Sequence, residues 1–167
     1  MTVVCNTSPI VALARAGYLD MLRAVHGEII IPDAVFNEIT VAGAGEPGAL
    51  EVNTAAWIRR RAALDARLVT ALGLELDAGE AEAIALAIEC NADLILLDER
   101  AGRHAAQRMG LTVTGTLGVL IAAKDRSHLT SLRPVLDALR TEAGFWISDA
   151  LYVEVLSAAG EQVPDQA

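Results

Sequence analysis

A run of four apolar residues followed directly by two acids limits most strongly how this chain folds. Residues 94–97 read Leu-Ile-Leu-Leu, and Asp98 and Glu99 come immediately after them. An uninterrupted apolar strand of this kind is buried on both faces, which is typical of a parallel sheet covered by helices. The acids then lie where such a strand ends.

Shorter apolar runs predict further strands at residues 2–5, 28–31 and 111–113. Helical spacing predicts helices over residues 9–16, 18–25, 33–40, 49–56, 80–90, 101–109, 119–124, 129–143 and 148–158. Ser8 is the expected N-cap of the first helix, with Pro9 as its first residue. The stretch 57–63 fits a strand or a helix equally well. Alternating strands and helices predict a three-layer α/β/α fold around a mainly parallel sheet.

The length and composition indicate one domain. The chain has 167 residues, of which 53% are hydrophobic, and its mean hydropathy is +0.40. We expect the domain to cover residues 1–160 and a frayed polar tail to cover 161–167. The high apolar content fits a helix-covered sheet and also predicts a homodimer interface.

The same composition excludes several classes of protein. No apolar run approaches the ~18–20 residues that span a bilayer, and no basic segment precedes the first apolar run, as a signal peptide requires. Cys5 and Cys90 are too few for a disulfide framework, and we expect both to be buried free thiols. These features predict a cytoplasmic protein without membrane attachment.

The formal net charge of −9 and a pI of about 4.7 argue against a broad nucleic-acid-binding surface. Arg59, Arg60, Arg61 and Arg67 are nevertheless clustered. They are interpreted as the solvated face of a helix. The alternatives are a patch that contacts phosphate or a docking site for an acidic partner.

Polar side chains from four segments are expected to converge at one end of the sheet. Asn6 follows the first strand, Asp98 follows the central strand, Glu38 lies in the helix after the second strand, and Glu80 begins the helix that leads into the central strand. In open parallel sheets ligands bind beyond the carboxyl ends of the strands. Carboxylate oxygens suit Mg²⁺ and Mn²⁺, and a cation relieves the repulsion between clustered acids.

Each of these acids also has a structural interpretation. Glu80 and Glu82 suit the first turn of a helix, where acids interact favourably with the helix dipole. Asp98 suits an N-cap of the helix that follows it, and Glu38 suits an exposed helical position. For any one of these acids the structural role is the simpler interpretation. Only the joint placement of the acids at one end of the sheet favours a metal site.

Six segments, in order, resemble those of PIN domains, in particular the branch related to VapC toxins. These segments are residues 3–10, 29–39, 79–87, 94–100, 102–103 and 114–120. The resemblance covers nearly the whole chain and implies a PIN-like fold. It also implies a metal-dependent endoribonuclease that uses Mg²⁺ or Mn²⁺ to hydrolyse RNA, either as the toxin of a type II toxin–antitoxin pair or as a free-standing relative. An antitoxin protein is the partner implied in the first case.

The resemblance assigns roles by position. Asn6 stands where the usual first aspartate would be, and Glu38, Glu80 and Asp98 match the second, third and fourth acids. Those three are the expected catalytic residues. The expected metal ligands are Asn6, Glu38, Glu80, Asp98 and Glu99. Supporting contacts to substrate, water or the site are expected from Thr7, Ser8, Glu82 and Thr116.

Asn6 departs from the family pattern. An amide oxygen still ligates a metal, but it carries no charge and cannot act as a base. This favours an alternative, a catalytically silent PIN-like module that binds nucleic acid or protein. A flavodoxin-like domain with a small ligand is a third interpretation, and the absence of a phosphate-cradling loop counts against it.

Overall fold

A computed structural model of the chain describes residues 1–163 and contains a five-stranded sheet in which every pairing is parallel. The strands are β1 (Val3–Cys5), β2 (Ile29–Ile31), β3 (Ile58–Arg60), β4 (Leu94–Leu96) and β5 (Val113–Thr114). Their order across the sheet is β3-β2-β1-β4-β5. The central strand β1 therefore pairs with β2 on one side and with β4 on the other. The predicted α/β fold with a parallel sheet is confirmed.

Ten α-helices connect and cover the strands in the described part of the chain. They are α1 (Thr7–Ala16), α2 (Asp20–His26), α3 (Asp33–Asn37), α4 (Ala49–Thr54), α5 (Ala66–Leu72), α6 (Ala78–Glu89), α7 (Arg100–Arg108), α8 (Thr116–Asp125), α9 (Arg133–Thr141) and α10 (Asp149–Ala158). A short π-helical segment, Glu38–Ala42, continues α3. None of these helices is long and apolar enough to cross a bilayer.

The apolar core is divided by the sheet into two clusters. Val3 and Cys5 of β1 belong to the first cluster with Leu96 of β4, whereas Val4 and Ile95 belong to the second. This division follows from the alternation of side chains along a strand. The first cluster is covered by α1, α2, α8, α9 and α10, and the second by α6 and α7. Both faces of β1 are thus buried, as the apolar runs predicted.

The first helix begins two residues earlier than the sequence indicated. Its N-cap is Asn6, and Thr7 is its first residue, so the prediction of Ser8 as the N-cap is wrong. The side chain of Ser8 bonds instead to a carboxylate far away in the chain, and that contact could not be seen locally.

The open assignment of residues 57–63 is resolved as the edge strand β3, not a helix. Arg59 pairs with Glu28 at 3.0 Å, and Arg60 pairs with Asp33 at 2.6 Å. The interpretation of the arginine cluster as a solvated helix face is therefore wrong for these residues. Charged side chains on an edge strand discourage pairing with a further strand.

The carboxylate of Glu161 anchors the C-terminal segment. It accepts hydrogen bonds from Lys124 Nζ at 2.7 Å, Ser131 Oγ at 2.6 Å and the backbone N–H of Leu132 at 2.8 Å. The expectation of a frayed tail does not hold at Glu161, and residues 164–167 of that tail lie outside the described residues. These bonds also explain why α9 begins at Arg133 rather than near residue 129. Leu132, at the N-cap position, makes no side-chain cap bond, so the first backbone N–H groups of α9 donate to the carboxylate of Glu161 instead.

We expect Glu161→Gln to lower the free energy of unfolding by roughly 2 kcal/mol, because hydrogen bonds to a charged acceptor are lost. That loss corresponds to about 4–8 °C in the melting temperature of a chain of this size. Thermal unfolding followed by circular dichroism at pH 7 measures it. Glu154→Gln, which changes an exposed acid of α10, is the matched control and should leave the melting temperature unchanged.

The same contact predicts a pH dependence. Burial by itself raises the pKa of the Glu161 carboxyl, but hydrogen bonds from Lys124, Ser131 and the backbone of Leu132 and Arg133 outweigh it and lower the pKa from 4.5 to about 2. Since the folded state has the lower pKa, the stabilisation is complete above pH 4.5 and is lost as the pH falls towards 2. The stability difference between wild type and Glu161→Gln should shrink over that interval. A constant difference would contradict the assignment.

Candidate functional site

A cavity of about 560 Å³ opens beyond the carboxyl ends of β1 and β4. These two strands lie where the connections begin to run in opposite directions across the sheet, which is where α/β folds bind ligands. The polar lining residues are Asn6, Thr7, Ser8, Arg15, Glu38, Asp77, Asp98 and Glu99, and the apolar ones include Val11, Ala12, Ala143, Phe145 and Trp146. Most of the residues predicted for a site are therefore brought to one place.

Asp98 is held at the cavity by three donors. Its Oδ1 accepts the backbone N–H of Thr116 at 2.7 Å, and its Oδ2 accepts the hydroxyls of Thr116 at 2.7 Å and Ser8 at 2.8 Å. The N-cap of the helix that follows is Glu99, so the interpretation of Asp98 as the cap of α7 is wrong. The carboxylate is fixed by α1 and α8 instead, which defines its orientation.

Asn6 presents an unpartnered oxygen towards the neighbouring acids. The residue is the N-cap of α1, yet its side chain makes no cap hydrogen bond. It is only 4% exposed, and among the described residues its Oδ1 has no donor. A buried acceptor without a partner costs on the order of 1–3 kcal/mol, so this atom calls for an explanation such as a bound cation or water.

The oxygens around Gly79 show how closely three side chains approach one another. A Cβ atom placed on Gly79 would lie 3.0 Å from Asn6 Oδ1, 3.2 Å from Glu38 Oε2 and 3.5 Å from Asp77 Oδ1. Only glycine leaves room for this approach. The first turn of α6 therefore forms one side of a small oxygen-lined space.

Glu38 is directed towards this space by its position in the chain. It is the first residue of the π-helical segment, where the backbone N–H of Gly43 bonds to the Glu38 carbonyl at 3.0 Å. Such π-helical turns occur frequently at functional sites. The hydroxyl of Thr7 donates to Glu38 Oε2 at 2.8 Å, which links the start of α1 to the end of α3.

Glu80 lies behind the cavity wall and forms a capping box with Asp77. The backbone N–H of Glu80 donates to Asp77 Oδ1 at 2.8 Å, and the N–H of Asp77 donates to Glu80 Oε2 at 3.3 Å. The structural interpretation of Glu80, a first-turn acid, is thus realised. Its Oε1 has no donor among the described residues and lies 2.8 Å from where a Cβ on Gly102 would be.

The surroundings of Glu80 disfavour its charged form. Burial raises the pKa of this carboxyl, and the nearby charges of Asp77, Glu99 and Glu38 raise it further. The only opposing contribution is the hydrogen bond from the Asp77 backbone. Clustered acids of this kind are the expected signature of a site built to receive positive charge.

Of the remaining acids predicted for the site, one lines the cavity and the other stabilises a helix. Glu99 lines the cavity. Glu82 does not line it; its carboxylate accepts the backbone N–H of Ala34 at 2.7 Å and so caps the start of α3 from a distance. The sequence reasoning missed Asp77, whose signal was the capping pair of an Asp and a Glu three residues apart. It also missed Arg15, which lies about two helical turns after Thr7 on the same face of α1.

The donor set fits a hard divalent cation. All the candidate ligands are carboxylate or amide oxygens, and Asn6 Oδ1 lacks any other partner. Within residues 1–163, no three His, Cys, Asp or Glu side chains are grouped closely enough to hold one ion. Mg²⁺ does not require such a group, because it keeps several waters and is commonly held through one or two carboxylates.

Comparison with known families agrees with this geometry. A family model described as a PIN domain matches residues 2–161, and no curated protein matches the chain. The chain therefore belongs to the PIN-domain family, and the resemblance to PIN domains predicted from its sequence is confirmed. This is a nuclease-type family, and its members generally use divalent metal ions. Membership of the family suggests that the chain binds nucleic acid.

Gly79→Ala provides a test of the oxygen-lined space. Alanine is the better helix former, so the melting temperature should stay the same or rise. The added Cβ would displace Asn6 Oδ1 and Glu38 Oε2 by a few tenths of an ångström. We expect Mn²⁺ affinity, measured by titration calorimetry without nucleic acid, to fall on the order of ten-fold, since outer contacts of a metal site have effects of that size. Equal affinity in both proteins would show that no ion is held here.

Asn6→Asp should make stability depend on metal. A new buried carboxylate close to Glu38 and Asp77 is repelled by them, so in EDTA we expect unfolding to become easier by on the order of 1–3 kcal/mol. Mn²⁺ should restore the melting temperature and bind more tightly than to wild type. Asn53→Asp, on the exposed face of α4, is the matched control and should show no response to metal. Destabilisation that Mn²⁺ does not reverse would contradict a cation site at Asn6.

Proposed function

We propose that this protein is a metal-dependent endoribonuclease of the PIN type that hydrolyses RNA phosphodiester bonds. One observation supports this most directly: side chains from four separate segments bring acceptor oxygens into a single cavity at the carboxyl edge of the sheet. These segments are the ends of β1 and β4, the end of α3 and the turn before α6. A cavity lined in this way binds a cation far more readily than it binds an anion alone.

The metal ligands in this proposal are Asn6, Glu38 and Asp98, with Glu99 at the cavity rim and Glu80 behind it. When bound, Mg²⁺ or Mn²⁺ supplies activation of a water and stabilisation of the charge that builds on phosphate oxygens. The chain contributes the orientation. Three donors hold the Asp98 carboxylate, and Thr7 holds Glu38, so that both carboxylates are fixed at the cavity.

Supporting residues act through these acids. Ser8 and Thr116 bond directly to Asp98, and the hydroxyl of Ser8, which lines the cavity, can also rotate towards a water or a phosphate oxygen. Glu80, predicted as a catalytic acid, serves in this proposal to orient Asp77 through the capping box. Glu82 supports the site indirectly, because its carboxylate caps the start of α3, the helix that leads into Glu38.

We also propose the role of toxin in a type II toxin–antitoxin pair, on the strength of the sequence resemblance to the VapC-related branch. Two free cysteines fit the cytoplasm, where such a protein would act. A homodimer is proposed from exposed apolar side chains such as Leu50, Leu64 and Leu74, which are 71%, 80% and 84% exposed. Sedimentation tests the dimer. Growth arrest on induction, relieved by the product of a short neighbouring reading frame, tests the toxin role.

Cleavage of a mixed panel of single-stranded RNAs tests the central proposal. Purified protein should cut RNA with Mg²⁺ or Mn²⁺ and should not cut in EDTA. Asp98→Asn should lower the cleavage rate by about 100-fold or more, because several kcal/mol of transition-state stabilisation are lost with the ligand charge. The variant should still fold, since the hydroxyls of Ser8 and Thr116 can accept from the new amide.

Asp125→Asn is the matched control for this experiment. It removes an exposed acid at the end of α8, outside the cavity, and should cleave like wild type. Absence of cleavage with both metals, in folded protein free of any partner, would favour the silent binding module. Asn6 and the net charge of −9 are the features that support that alternative.

A further inference from the structure

The lining of the cavity includes an exposed indole. Trp146 is 83% exposed, although it lines the same cavity as Asn6 and Asp98. Its neighbour Ile147 is buried at 5%, but the indole itself packs against little of its own chain.

The loop that presents Trp146 is anchored on both sides. The backbone N–H of Phe145 donates to the Leu139 carbonyl at 2.9 Å, and Arg140 donates to the Ile147 carbonyl at 2.7 Å. Gly144 adopts a φ of +62°, which allows the chain to turn between α9 and this loop. The indole is therefore held outward by a fixed backbone, which lowers the entropic cost of binding a flat ligand.

Arg15 gives the acidic cavity a positive charge of its own. Its side chain is exposed, lines the cavity, and forms no ion pair with any residue in the 1–163 range. It lies on the face of α1 that also carries Thr7 and Val11, about 12 Å along the helix axis from Thr7. A cation left unpaired beside several acids is available to an anionic ligand.

We propose that Trp146 and Arg15 form a subsite for one nucleotide of single-stranded RNA, adjacent to the acidic end of the cavity. The base stacks on the indole, and Arg15 contacts the phosphate backbone, so that the next phosphate reaches the acids. Stacking on an aromatic side chain combined with a cation is how single strands are bound without sequence preference. This inference rests on the proposed nuclease function and specifies that its substrate is single-stranded.

Binding without cleavage tests the subsite. The probe is an eight-nucleotide oligouridine RNA in EDTA, and the protein carries Trp57→Phe so that the emission of Trp146 is observed alone. RNA should quench this emission, whereas a blunt RNA duplex of the same length should not, because its bases are already stacked. Trp146→Ala, followed by fluorescence anisotropy of labelled RNA, should bind about ten-fold more weakly, and Trp146→Phe should retain most of the affinity.

The salt dependence of RNA affinity separates the contribution of Arg15 from that of Trp146. Arg15→Gln should reduce the slope of log affinity against log salt by about 0.7, the value for one phosphate contact on a single strand. Arg23→Gln, an exposed arginine of α2 outside the cavity, is the matched control and should leave the slope unchanged.

Three results would overturn the inference. They are equal RNA affinity of Trp146→Ala and wild type, equal salt slopes for Arg15→Gln and wild type, and an emission change of Trp146 that follows protein concentration but not RNA. The last result would show that a second copy of the chain covers the indole. Because all measurements are made in EDTA, loss of cleavage leaves them unaffected, so failure of the subsite and failure of the nuclease proposal are distinguishable.

Discussion

The parallel pairing of β1 with β4 is the constraint on which the site depends. Val3, Val4 and Cys5 lie opposite Leu94, Ile95 and Leu96, so the two strands end at the same edge of the sheet. Asn6 and Asp98 follow these ends and are thereby brought together from opposite halves of the chain. The register itself is stabilised by burial of both faces of β1, which removes every residue of this strand from water. The apolar core and the polar site are therefore two consequences of the same pairing.

The acids at this edge are kept close together by neutral hydrogen-bond donors rather than by counter-charges. Asp98 is held by Ser8 and Thr116, Glu38 by Thr7, and Glu80 by the backbone of Asp77. Hydroxyl and backbone donors stabilise the carboxylates without cancelling their charge. The negative potential of the cavity is thus preserved for an incoming cation. Burial is the main reason why the pKa of Glu80 is raised, and repulsion from neighbouring acids raises it further.

The elements that the sequence predicted well are those whose signals are local. The apolar run at 94–97, the helix that opens after Asp77 and the end of α1 at Ala16 are set by neighbouring residues, and each lies close to its expected place. Predictions were wrong, or left two alternatives open, where a distant partner decides. The start of α9 depends on Glu161, and β3 is a strand because β2 offers it an edge. The helix α5 received no prediction at all.

The site shows the same division. The order of Asn6, Glu38, Glu80 and Asp98 along the chain was sufficient to expect convergence at one sheet edge, since parallel strands end together. The sequence alone could not distinguish which acids line the cavity, because a helical residue faces the site or the core according to packing. Tertiary structure placed Asp77 at the cavity and Glu80 behind it, turned Glu82 into a remote cap, and added Arg15 and Trp146. Side-chain roles of this kind depend on contacts between segments tens of residues apart, and only the folded chain brings those segments together.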